Sequence, residues 1–64
     1  MSIQVNGERQ DLAPSLAELL VRMELAEAVV ATAVNGVFVP VSRRGDTLLT
    51  AGDTVEVLAP MQGG

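Results

Sequence analysis

The dipeptide Asn-Gly occurs twice in this chain, at Asn6-Gly7 and Asn35-Gly36, each time after a short run containing β-branched residues. A two-residue hairpin of type I′ needs positive φ at both central positions; asparagine tolerates this and glycine adopts it freely, so Asn-Gly between such runs is a strong hairpin signal. In "SIQVNGERQDLA", Ile3 and Val5 alternate with polar neighbours; in "VVATAVNGVFVPV", valine-rich runs flank the turn. Between the hairpins lies "PSLAELLVRM", where Ser15 and Glu18 have capping-box spacing and Pro14 stops the preceding strand from running on. Leu16, Leu19, Leu20 and Met23 fall at i, i+3, i+4 and i+7, which predicts a helix of about two and a half turns with one apolar face. Glu18 and Arg22 stand four apart in the favourable order, a surface pair worth about 0.2 to 0.5 kcal/mol.

Pro40 lacks a backbone N–H, so the strand that follows Asn35-Gly36 must lie at a sheet edge or leave its pairing there. "SRRGDTLLTAGDT" reads as loop, with Gly45-Asp46 and Gly52-Asp53 as turn formers around the short apolar segment Leu48-Leu49. "TVEVLAP" then alternates, with Val55 and Val57 facing one way and Glu56 the other. The predicted order is strand, strand, helix, strand, short strand, strand: an α+β domain with one helix over a small mixed sheet. At 64 residues the chain is expected to be one domain, residues 1–64, with a tail at about residues 60–64. It has no cysteine and no histidine, so disulfides, thiol and imidazole catalysts and the common zinc and haem sites are excluded, and packing alone must hold the fold. The core must be aliphatic, because Phe38 is the single aromatic.

The net charge is −4, with four arginines and no lysine. Nucleic acid is excluded as a natural partner, since phosphate binding needs a basic patch and single-strand binding needs aromatics to stack on. The pair Arg43-Arg44 reads as a solvated loop. No run reaches the roughly 18 apolar residues of a membrane helix, and "MSIQVNGERQ" lacks the character of a secretory signal; the expectation is a cytoplasmic protein without membrane contact. Without lysine, no side chain here can accept an isopeptide bond.

The order ββαββ, closing in an extended strand and Gly63-Gly64, is the β-grasp or ubiquitin-like arrangement. The segments "VNGERQDL", "VNGVFVP" and "LLTAGDTVEVLAPMQGG" resemble the ThiS family of sulfur carriers of thiamin biosynthesis over essentially the whole chain. The likeness is strongest in the last of these, where the Gly-Asp turn, the Val-Glu-Val strand and the glycine end recur in order. The small subunit of molybdopterin synthase shares the fold and the Gly-Gly end but is usually longer and richer in aromatics, which favours ThiS.

The resemblance implies a protein that carries chemistry without performing it. In the family, a ThiF-like adenylyltransferase activates the terminal carboxylate with ATP and magnesium. Sulfur derived from cysteine then replaces AMP, and the thiocarboxylate serves thiazole synthase, a ThiG-like enzyme. Carried onto this chain, the reacting group is the carboxylate of Gly64, as a glycyl adenylate and then a 1-thioglycine. No cofactor is expected on the chain itself. It has no G-x-x-x-x-G-K-[ST] run and no lysine to hold phosphates, so ATP and magnesium would act in the partner.

A tail that enters a narrow nucleotide channel needs residues without a Cβ at its tip, which is the reading given to Gly63 and Gly64. Met61 and Gln62 would supply side-chain contacts in that channel. Docking of the body is expected on the exposed sheet face and the edge near Phe38 and Pro40, with the acidic surface steering toward basic partners; the alternative for Phe38 is an ordinary core or edge aromatic. Alone, the carrier is expected to be a monomer. A carrier for molybdopterin or for tRNA thiolation, a ubiquitin-like protein modifier joined through Gly64, and a plain interaction domain remain open on the residues alone.

Overall fold

The structure, a computed structural model, describes residues 1–59. The elements are β1 (Ser2–Val5), β2 (Glu8–Asp11), α1 (Leu16–Arg22), β3 (Ala31–Val34), β4 (Val37–Val39), a 3₁₀ helix (Val41–Asp46) and β5 (Thr54–Leu58). Both Asn-Gly pairs make the expected hairpin turns: φ is +52° and +84° at Asn6 and Gly7, and +51° and +83° at Asn35 and Gly36. Each hairpin pairs in antiparallel register, Val5 opposite Glu8 in the first and Val34 opposite Val37 in the second.

The strands form one sheet in the order β2-β1-β5-β3-β4. The last strand therefore occupies the middle, parallel to β1 and antiparallel to β3. Such a sheet cannot be assembled from the hairpins alone. Residues near opposite ends of the chain must meet, Val5 opposite Val55 on one side of β5 and Val34 opposite Val55 on the other.

Helix α1 begins where Ser15 accepts a hydrogen bond from the Glu18 N–H at 3.2 Å, the side-chain arm of the expected capping box. It ends one residue before Met23, and Glu24 adopts φ +62°. The Leu25 N–H donates to the Leu20 carbonyl at 2.8 Å and the Glu24 N–H to the Val21 carbonyl at 3.0 Å. These are the two hydrogen bonds of a Schellman motif, here with glutamate where glycine is usual. Leu16, Leu19 and Leu20 are buried against Ile3, Val5, Val39, Val55 and Val57 from the inner face of the sheet, with Ala13 and Leu49 completing the core. Met23 packs beside this cluster from the helix end.

Three readings are corrected. The segment after Pro40 is not plain loop: Val41–Asp46 form a 3₁₀ helix with Pro40 as its N-cap residue, and the Arg43 N–H donates to the Pro40 carbonyl at 2.9 Å. Arg44 is not solvated but 6 % exposed. Its Nε donates to Thr32 Oγ1 at 3.0 Å and its Nη2 to the Val30 carbonyl at 2.6 Å, while Thr32 Oγ1 donates to the Val39 carbonyl at 2.7 Å. Arg44 thus pins the 3₁₀ helix to β3, and its partners are neutral oxygens. Arg22, expected to pair with Glu18, extends to the carbonyls of Asp11 and Leu12 instead, tying α1 to the end of β2.

Candidate functional site

The alternation of β5 sends Val55 and Val57 into the core and turns Thr54, Glu56 and Leu58 to the opposite face, which no helix among the described residues covers. Cross-strand partners point to the same side of a sheet. Glu56 pairs with Ala33 and Leu58 with Ala31; Ala33 in turn pairs with Phe38 of β4. Phe38, Ala33, Ala31, Leu58 and Glu56 therefore share the outer face, at the end where β5 leaves the sheet. Phe38 is 66 % and Leu58 62 % exposed. The β1 and β2 part of the same face is polar, with Gln4 opposite both Thr54 and Arg9.

The structure brings Phe38 and Pro40 together on the sheet's edge. β4 is the terminal strand, and it ends at Val39, so Pro40 takes no rung that needs its missing N–H. A shallow depression of about 300 Å³ runs along this edge, lined by Phe38, Val39, Pro40, Arg43 and Thr47. Leu58 belongs to the same face and was missed from the sequence. Its signal was present: in "TVEVL" it is an apolar residue at an outward position of the alternation.

Both ends of β5 are held by the asparagines of the hairpin turns. At the start, the Asn35 N–H donates to the Thr54 carbonyl at 2.7 Å and Asn35 Oδ1 accepts from the Thr54 N–H at 3.0 Å. Asn35 Nδ2 also donates to Asp53 Oδ1 at 3.1 Å, and Asp53 Oδ2 accepts from the Thr50 N–H at 2.9 Å. The Thr50 backbone bond first, and the Asn35 amide second, hold the Asp53 carboxyl below the usual carboxylate range. Toward the other end, Asn6 reaches Val57 through its side-chain amide.

Among the described residues no cluster of three or more carboxylate, cysteine or histidine side chains is placed to hold a metal ion. Among them also, no helix is long and apolar enough to cross a membrane. The four tail residues singled out from the sequence, Met61, Gln62, Gly63 and Gly64, lie outside the described residues.

The sequence model of the ThiS family matches residues 3–64. The chain belongs to the ThiS family. No curated protein sequence matches it significantly. Among solved structures it is similar to the crystal structure of the thiamine biosynthesis protein ThiS from Geobacter metallireducens, at 35 % identity and a TM-score of 0.81, with 100 % of both chains covered. It is also similar to the solution structure of a thiamine biosynthesis protein from the same organism, at 35 % identity and a TM-score of 0.77, over 100 % of this chain and 88 % of that one. The fold is therefore the β-grasp expected from the element order, with the central β5 and the outer face described above as features of a ThiS-family domain.

Proposed function

We propose that this ThiS-family chain is a sulfur carrier of thiamin biosynthesis whose reacting group is the Gly64 carboxylate. A carboxylate is a poor electrophile because its charge is delocalised over two oxygens. In the proposed cycle, one of these oxygens attacks the α-phosphorus of ATP, with magnesium, in a ThiF-like adenylyltransferase. Pyrophosphate leaves, and the carboxylate becomes a glycyl adenylate. A sulfur nucleophile derived from cysteine then displaces AMP, and the resulting thiocarboxylate donates its sulfur in a ThiG-like thiazole synthase. The chain is the substrate of these enzymes rather than a catalyst, and it works where both of them are found, in the cytoplasm.

The body's part in this cycle is docking. The outer face supplies an apolar strip of Phe38, Ala33, Ala31 and Leu58, bordered by Pro40 at the edge and by Glu56. A partner surface with an apolar pocket for Phe38 and a basic group for Glu56 complements it, and the net charge of −4 favours approach to basic surfaces. Gly63, Gln62 and Met61 would occupy the partner's channel.

The observation that carries this reading is the family match along residues 3–64, which includes the terminal glycines. Its test is genetic. A strain lacking its own ThiS-family carrier should need added thiazole, and this chain should relieve that need, whereas the same chain without Gly64 should not. Rescue by the truncated chain, or rescue of a molybdopterin defect in place of the thiazole defect, would overturn the assignment.

A further inference from the structure

Strand β5 carries the chain out of the sheet, and its two sides are held differently. Toward β3 the backbone ladder runs to the end of the strand, with Thr32 opposite Val57 and Ala31 opposite Leu58. Toward β1 it stops at Val5 opposite Val55, because the chain turns away at Asn6-Gly7 to make β2. A side chain makes the next rung. Asn6 Nδ2 donates to the Val57 carbonyl at 3.0 Å and Asn6 Oδ1 accepts from the Val57 N–H at 2.9 Å, while the Asn6 backbone N–H donates to the Val55 carbonyl at 2.9 Å. A carboxamide carries the same donor and acceptor as a peptide group, so Asn6 extends the β1–β5 ladder by one rung where no backbone is left to do so.

We propose that Asn6 is a positioning residue for the C-terminal segment: its carboxamide clamps Val57, fixing where and in which direction β5 leaves the sheet toward the adenylating partner. This rests on the function proposed above. Without the clamp, Glu56, Val57 and Leu58 would be paired on one side only, as at a sheet edge. Val57 precedes Gly64 by seven residues, a reach of up to about 23 Å at roughly 3.3 Å per residue. A swing of about 10° at Val57 thus displaces the far end by as much as about 4 Å, so fewer encounters deliver it to the partner's channel, a loss in binding rather than in the chemical step. A stem left free to fray must also be ordered on docking.

The turn and the clamp are separable. Glycine satisfies the positive φ of the turn as well as asparagine does but has no amide. Asn35 provides the control, since it grips the start of β5, ten residues before Gly64: its Oδ1 accepts from the Thr54 N–H, its backbone N–H donates to the Thr54 carbonyl and its Nδ2 donates to Asp53. The experiment compares wild type, Asn6→Gly, Asn6→Asp and Asn35→Gly by pyrophosphate release with the ThiF-like adenylyltransferase and by amide hydrogen exchange. For Asn6→Gly the expected result is a rise in carrier KM of about three- to tenfold with kcat within about twofold, and Val57 exchange about tenfold faster. Asn6→Asp keeps the acceptor for the Val57 N–H and loses the donor, so it should fall between; it also serves should Asn6→Gly not fold. Asn35→Gly should leave KM within about twofold of wild type.

Equal KM for wild type and the Asn6 variants would overturn the proposal, as would a KM rise in Asn35→Gly matching that in Asn6→Gly. A wild-type chain that is not adenylated would instead remove the function reading. The clamp would then stand or fall on exchange at Val57, and unchanged protection in Asn6→Gly would refute it.

Discussion

Truncation of Phe38 separates docking from folding. A phenylalanine offers about 150 to 250 Å² of surface, and with 66 % of Phe38 exposed, about 100 to 165 Å² remains for a partner to cover. At about 25 cal/mol per Å² this area sets an upper limit of about 2.5 to 4 kcal/mol. Alanine retains part of the contact, so Phe38→Ala should weaken binding to the adenylyltransferase by about 2 to 3 kcal/mol, a rise in Kd of about 30- to 150-fold. The domain itself should lose about 1 kcal/mol or less, the full span of strand propensity at such a site. Titration calorimetry gives the first quantity and urea unfolding the second. Val21→Ala is the control, because Val21 is 59 % exposed on α1, which packs against the opposite face of the sheet. An unchanged Kd for Phe38→Ala, or an equal loss for Val21→Ala, would refute the assignment of the outer face as the docking surface.

Three further outcomes follow from the fold. Leu20→Ala, at a side chain 2 % exposed, should cost about 2 to 5 kcal/mol and leave a domain this small largely unfolded by circular dichroism. Glu24→Gly should stabilise the chain by about 0.5 to 1 kcal/mol, raising the thermal midpoint by a few degrees, because it relieves the left-handed φ of +62° that closes α1. Asp53 has a folded-state pKa below its ordinary value, so its contribution to stability is complete above the unfolded-state pKa of about 4 and is lost as pH falls through the lower folded-state value. The stability difference between wild type and Asp53→Asn should therefore be constant near neutrality and shrink in acid; a difference that grew below pH of about 4 would contradict this sign.

The parts of the fold legible in the sequence are those set by neighbours along the chain. Asn6-Gly7 and Asn35-Gly36 fix local φ, Ser15 caps a local N–H, and Leu16, Leu19 and Leu20 share a face through helix geometry alone, so each was readable within a few residues. The 3₁₀ helix was not, because a short i→i+3 turn carries no apolar stripe and its inward residue is the charged Arg44. Arg44 is buried only because β3 brings the Thr32 hydroxyl and the Val30 carbonyl to it. The Asn6 clamp escaped for the same reason: it joins residues 51 apart, and the turn alone accounts for an asparagine at that place. Phe38 and Pro40 were found as the lone aromatic and the strand breaker. Leu58 completes their face only once the register sets β5 beside β3.

The central claim is that the Gly64 carboxylate is the atom group other enzymes modify. Its most direct measurement is the intact mass of the chain after incubation with the ThiF-like adenylyltransferase, ATP, magnesium and a cysteine-derived sulfur source. The expected product is heavier by the exchange of one oxygen for one sulfur, with the change confined to the C-terminal peptide and abolished when a residue is appended after Gly64. A chain that keeps its original mass, or gains sulfur equally well with its C-terminus extended, would contradict the account.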